Sequence, residues 1–140
     1  MIIHTASEGI TLSKKLEEES ARFYEDLAKK DTANADTYLS FAKQNKNNVI
    51  QIERSYYGVI TDAIEGSYAF NLESDKYVLD TKLPAKVSPA DAKKKAKLVE
   101  ETIIKFYNEA AEQSASLMAD VPRTFKIVAR KRTERLAQLS

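Results

Sequence analysis

Two stretches of the chain, LEEESARFYEDLA at residues 16–28 and VEETIIKFYNEAA at residues 99–111, align over an offset of 83 residues, with shared acids, a shared Phe-Tyr pair and an Ala-rich tail. Both carry apolar residues at helical spacing, so each is an amphipathic helix that must bury one face against a partner. The distance between the copies leaves room for that partner and for a connection. The expected unit is therefore a helical hairpin, present twice.

Period and punctuation place four helices. The first spans 7–30, with Ile10, Leu12, Leu16, Ala21, Phe23, Tyr24, Leu27 and Ala28 on one broad face. The second spans 33–65, with Tyr38, Phe41, Ala42, Val49, Ile52, Tyr56, Val59 and Ile60, and Gly66 is its expected stop. Residues 66–88 lose the helical period and read as a long extended connection. Ser88, Pro89 and Asp91 then supply a cap, a first helical position and a first-turn acid for a third helix reaching 117. Pro122 breaks the chain, and a fourth helix follows with Phe125, Val128, Ala129, Leu136 and Leu139. Short link, long link, short link is the connectivity of an all-α four-helix bundle with one crossover.

Composition agrees. Three Gly and three Pro in 140 residues favour long uninterrupted helices, and the length suits one domain. A formal net charge of +1 gives no global attraction to nucleic acid or membrane, so binding to either is not expected. The absence of cysteine excludes disulfides, thiol catalysis and thiolate metal sites. No apolar run approaches a membrane span and MIIHTASEGI is not a signal peptide, so a cytoplasmic protein is expected.

Polar residues interrupt the core stripes at one level. At ~100° per residue, Glu17 shares the face of Ile10, Ala21 and Tyr24, and Glu100 that of Ala96, Ile103 and Tyr107. Helix two brings Asn45 and Asn48 inward, and helix four brings Arg132 and Arg135. Two glutamates facing two arginines would balance formally, with guanidinium forks suited to carboxylates. The simplest reading is a structural polar network. The alternative is a metal or substrate site using Glu17 and Glu100.

The two repeated segments resemble the helix signature of rubrerythrin-like members of the ferritin-like superfamily. In that family a ligand Glu stands seven residues before a Tyr, as Glu17 precedes Tyr24 and Glu100 precedes Tyr107. The resemblance implies a ferritin-like bundle and a di-iron centre, with Glu-x-x-His on the second helix of each hairpin. The positions matching that motif here are Asn45 with Asn48, in FAKQNKNN, and Arg132 with Arg135, in IVARKRTER. Two of six ligand groups remain. An amide is a weak neutral ligand, and an arginine is a fixed cation without a lone pair to donate. No iron or other cofactor is therefore expected. Tyr24 and Tyr107, which stand behind the metal in relatives, are expected to be core residues whose hydroxyls find partners in the polar layer.

Other candidates carry less. His4, the only histidine, is expected to be a solvated residue of the terminal segment. Arg123, Lys126, Arg130 and Lys131 on helix four, and Lys93, Lys94, Lys95 and Lys97 on helix three, could bind phosphate but read as solvated faces. Tyr56, Tyr57, Tyr68, Phe70 and Tyr77 exceed what one core needs, pointing to a partner surface, most simply a second copy. The expected protein is a non-catalytic structural or interaction protein, a homodimer with a Glu/Arg/Asn polar core. The alternative is a divergent oxidoreductase acting on peroxide or dioxygen, with Glu17 and Glu100 as ligands and others drawn from Glu101, Glu53 or Asn45. A third reading is an anion or nucleic-acid binder using helix four.

Overall fold

The computed structural model describes residues 1–59, 68–115 and 120–139. The chain is mostly helical. In order come a strand β1 (Ile2–Thr5), helix α1 (Ala6–Lys30), a 3-10 turn (Thr32–Asn34), helix α2 (Ala35–Val59), strand β2 (Tyr68–Glu73), a second 3-10 turn (Ser74–Tyr77), helix α3 (Pro89–Ser114) and helix α4 (Asp120–Leu139). The expected continuation of helix two through 60–65, its stop at Gly66 and the end of helix three at 117 lie outside the described residues.

The helix ends follow from local chemistry. Thr5 caps α1: its Oγ1 accepts from the Glu8 amide, and the Glu8 carboxylate accepts from the Thr5 amide at 3.0 Å, a reciprocal box. Ser88 Oγ accepts from the Asp91 amide at 3.1 Å, with Pro89 in the first position of α3. The fourth helix starts earlier than expected. Pro122 lies within its first turn, where a missing N–H breaks no helical hydrogen bond, so it does not interrupt the helix.

Side-chain contacts fix the helix directions. Asn45 reaches Ser20 and Asn48 reaches Glu17, so α1 and α2 run antiparallel. Phe125 packs on Tyr107 while Arg132 meets Glu100, giving the same relation between α3 and α4. Arg132 with Asn45 and Arg135 with Phe41 make α2 and α4 antiparallel as well. Helices α2 and α3 therefore point the same way, and the chain between them must return along the length of the molecule. The buried apolar residues of all four helices form one core.

The returning segment is more ordered than its sequence implied. Strand β2 pairs antiparallel with β1, Ile2 opposite Glu73, Ile3 opposite Leu72 and Thr5 opposite Tyr68, with an irregularity between Ile3 and Thr5. Ile3, Ala69, Phe70 and Leu72 from this small sheet enter the core. Phe70 lies directly over Gly9, where an added methyl would overlap its ring. His4 is not a free tail residue, because its ring stacks on Tyr68 at 4.7 Å. The far side of β2 is closed by Gln113 of α3, which accepts from the Asn71 amide at 2.7 Å and donates to its carbonyl at 3.3 Å. Of the five clustered aromatics, Tyr56, Phe70 and Tyr77 are core residues, and only Tyr57 and Tyr68 stay exposed.

Candidate functional site

The six polar residues expected at one level, two from α2, two from α4 and one each from α1 and α3, meet there. Glu17, Asn45, Asn48, Glu100, Arg132 and Arg135 are all buried, at 0 to 2% exposure. Helical spacing explains the convergence: 45 with 48 and 132 with 135 are single turns on the inward stripes of α2 and α4.

Arg132 is the hub. Its Nη2 and Nε donate to Glu17 Oε2 at 2.8 and 3.2 Å, and its Nη1 donates to Glu100 Oε2 at 2.5 Å. One guanidinium thus spans the two carboxylates of the repeated helices. Nη2 also meets Ser20 Oγ at 3.1 Å and Asn45 Oδ1 at 3.2 Å. Burial works against this charge, but the Glu100 and Glu17 carboxylates outweigh it and hold Arg132 more firmly protonated than a free arginine.

Arg135 takes the outer position. It donates to Glu100 Oε1 at 3.3 Å, to Gln44 Oε1 at 3.1 Å and to the Phe41 carbonyl at 3.2 Å, with its guanidinium over the Phe41 ring at 5.0 Å. Burial and the neighbouring Arg132 charge lower its pKa, with Glu100 opposing. Two carboxylates and two guanidinium groups leave the layer formally neutral, which is what a buried cluster of charges requires.

The rest of the layer completes the hydrogen bonding. Asn48 Nδ2 donates to Glu17 Oε1 at 2.9 Å, and Asn45 Nδ2 donates to Ser20 Oγ at 2.8 Å. Tyr107 donates its hydroxyl proton to Glu17 Oε2 at 2.7 Å, leaving Ser13 Oγ, 3.0 Å away, to donate to the Tyr107 oxygen. Ser13, Ser20 and Gln44 were not singled out from sequence. For the two serines the signal was there: 13, 17, 20 and 24 form one stripe at steps of four, three and four.

Tyr24 departs from the expectation made for both tyrosines. Its hydroxyl is buried beside the Glu100 carboxylate without a well-formed hydrogen bond among the described residues, whereas Tyr107 in the equivalent repeat position has two. Burial, followed by the Glu100 charge, pushes the Tyr24 pKa well above its ordinary value, and burial with the Glu17 charge does the same for Tyr107.

The donor set does not fit a metal pair. Each oxygen of Glu17 and Glu100 already accepts from an amide, a phenol or a guanidinium, and Arg132 fills the space between them. Glu53 lies 3.7 Å from Lys14 on the surface and Glu101 is exposed, so neither joins the layer. Among the described residues there is no group of three or more His, Cys, Asp or Glu side chains placed to hold an ion. No helix among them is long and apolar enough to cross a membrane.

No protein-family model matches the chain, and no curated protein and no solved structure is significantly similar to it.

Proposed function

We propose that this chain is a ferritin-like four-helix bundle of rubrerythrin-like type, in which guanidinium groups take the place of metal ions, and that it serves as a non-catalytic structural or interaction protein. One observation carries the reading: the Arg132 guanidinium lies between Glu17 and Glu100, within hydrogen-bond distance of both. A divalent ion in such a bundle neutralises and bridges carboxylates from facing helices. A guanidinium performs both tasks with no open coordination position and no redox chemistry. Two antiparallel helix pairs joined by a returning segment support the ferritin-like connectivity. A cytoplasmic homodimer belongs to the same reading, with exposed Tyr57 and Tyr68 on the candidate contact surface.

The test is metal content after anaerobic incubation with ferrous, manganous or zinc ion and removal of the excess. The expected result is no retained ion. About two irons per chain, the loading of a di-iron bundle, lost on Glu17→Gln and Glu100→Gln substitution, would restore the oxidoreductase alternative and direct attention to peroxide turnover. Sedimentation equilibrium checks the dimer, and a monomer at all concentrations removes it.

A further inference from the structure

A groove of about 520 Å³ runs beside the first turns of α4 and the end of α3, lined by Ala115, Pro122, Arg123, Lys126, Ile127 and Arg130. Among the described residues its charged walls, Arg123, Lys126 and Arg130, are all cationic. Other grooves on the molecule mix signs: Asp80 and Asp91 stand with Lys94 and Lys95, Glu134 with Lys131 and Arg135, Glu8 with Lys15, and Glu17, Glu18 and Glu25 with Arg22 and Lys46. The acids of α4, Asp120 and Glu134, are not among the walls.

Arg123, Lys126 and Arg130 are three and four residues apart, so they share one exposed face of α4 and reach along about 10 Å of helix. None of the three has an ion pair or hydrogen-bond partner among the described residues, whereas Lys14, Lys15, Lys46, Lys95 and Lys105 each meet an acid. Like charges gathered without a counter-charge repel one another, and an anion bound between them relieves that repulsion. A single small anion would have to draw the Arg123 and Arg130 side chains together over about 10 Å of helix. A chain of linked phosphoryl groups can span that distance, with arginine forks gripping two oxygens at a time. The groove volume lies in the range of small-molecule sites. Half-buried Ile127 adds apolar surface beside the three cations.

We propose that this groove binds a ligand built of linked phosphoryl groups, a di- or triphosphate, either inorganic or carried by a nucleoside. The site is separate from the buried layer, so its fate does not depend on the reading given for Arg132.

Calorimetric titration of the full chain with inorganic tripolyphosphate and with ATP, in magnesium-free buffer of low ionic strength, tests it. The expected result is saturable one-to-one binding that weakens as salt is added. The triple variant Arg123→Gln, Lys126→Gln, Arg130→Gln, exposed at all three positions, should lose at least about tenfold in affinity. The triple variant Lys93→Gln, Lys94→Gln, Lys97→Gln removes the same charge elsewhere and should bind as the parent does. Tighter binding of ATP than of tripolyphosphate assigns the ligand to nucleotides, and equal binding assigns it to the phosphate chain alone. Absence of saturation, or equal loss in both triple variants, overturns the proposal. So does binding of a single-stranded oligonucleotide by a chain that takes neither small ligand, which would mark an extended polyanion surface instead.

Discussion

Arg132 Nη2 lies 2.8 Å from Oε2 of Glu17, a residue 115 positions earlier in the chain. Both side chains are fully buried. A buried pair of this kind contributes little relative to a well-packed apolar core, but removing one member leaves a charge with neither water nor partner.

Arg132→Met should therefore destabilise by about 3 to 5 kcal/mol near neutral pH. Urea unfolding of the parent and the variant checks this. Arg132→Glu extends the test to the metal reading: if the guanidinium stands where an ion would, this variant gains thermal stability on adding manganous ion, and the parent does not. A variant indifferent to manganese would count against that interpretation.

The two repeat-related tyrosines should respond differently to loss of one oxygen. Tyr107→Phe removes a hydrogen bond to a carboxylate and strands Ser13, at a cost of about 1.5 to 3 kcal/mol. Tyr24→Phe removes a hydroxyl that lies beside Glu100 without a well-formed hydrogen bond among the described residues, and should cost clearly less than Tyr107→Phe. Equal losses in the two variants would show that the Tyr24 hydroxyl is satisfied in solution.

Alkaline unfolding is expected to follow tyrosine ionisation. Burial, with Asp31 beside it, raises Tyr38 to about 12. Tyr24, Tyr107 and Tyr77 are raised too, Tyr77 by burial and by its hydrogen bond to Glu109. Each folded pKa lies above its unfolded value near 10, so the stability these groups supply is complete below about 10 and is lost as pH rises from there. Tyrosinate absorbance should increase together with loss of helical circular dichroism. Ionisation of all the tyrosines while the helices persist would contradict it.

Gly9→Ala and Gly58→Ala are the same change in two helices with opposite expected signs. At Gly9 the new methyl meets the buried Phe70 ring, and overpacking of this kind costs about 1 to 3 kcal/mol. At Gly58 no described residue lies within 4 Å of the new methyl, and the gain in helix propensity should stabilise by up to about 1 kcal/mol. Thermal melts of the pair decide the matter.

The helices and the inward residues were legible because one period governs both. Asn45, Asn48, Arg132 and Arg135 lie on apolar stripes, and a stripe fixes which face is buried whatever the residue's polarity. Strand β1 was not legible. Four residues carry too little pattern to declare a strand, and their partner at 68–73 is remote in sequence. The inequality of Tyr24 and Tyr107 was hidden for another reason. The repeat presents them as equivalents, and only the geometry of each hydroxyl to its carboxylate, Tyr107 to Glu17 and Tyr24 to Glu100, separates them.

The span between Glu17 and Arg132 also orders events in time. On a ribosome, Glu17, Glu100 and Tyr107 leave the exit tunnel before the residue that neutralises them. Until α4 emerges, closing the first three helices would bury Glu17 and Glu100 with no guanidinium between them, at a large desolvation cost. The nascent chain is thereby held back from premature closure, and its final helix acts as the latch that commits the whole to one structure.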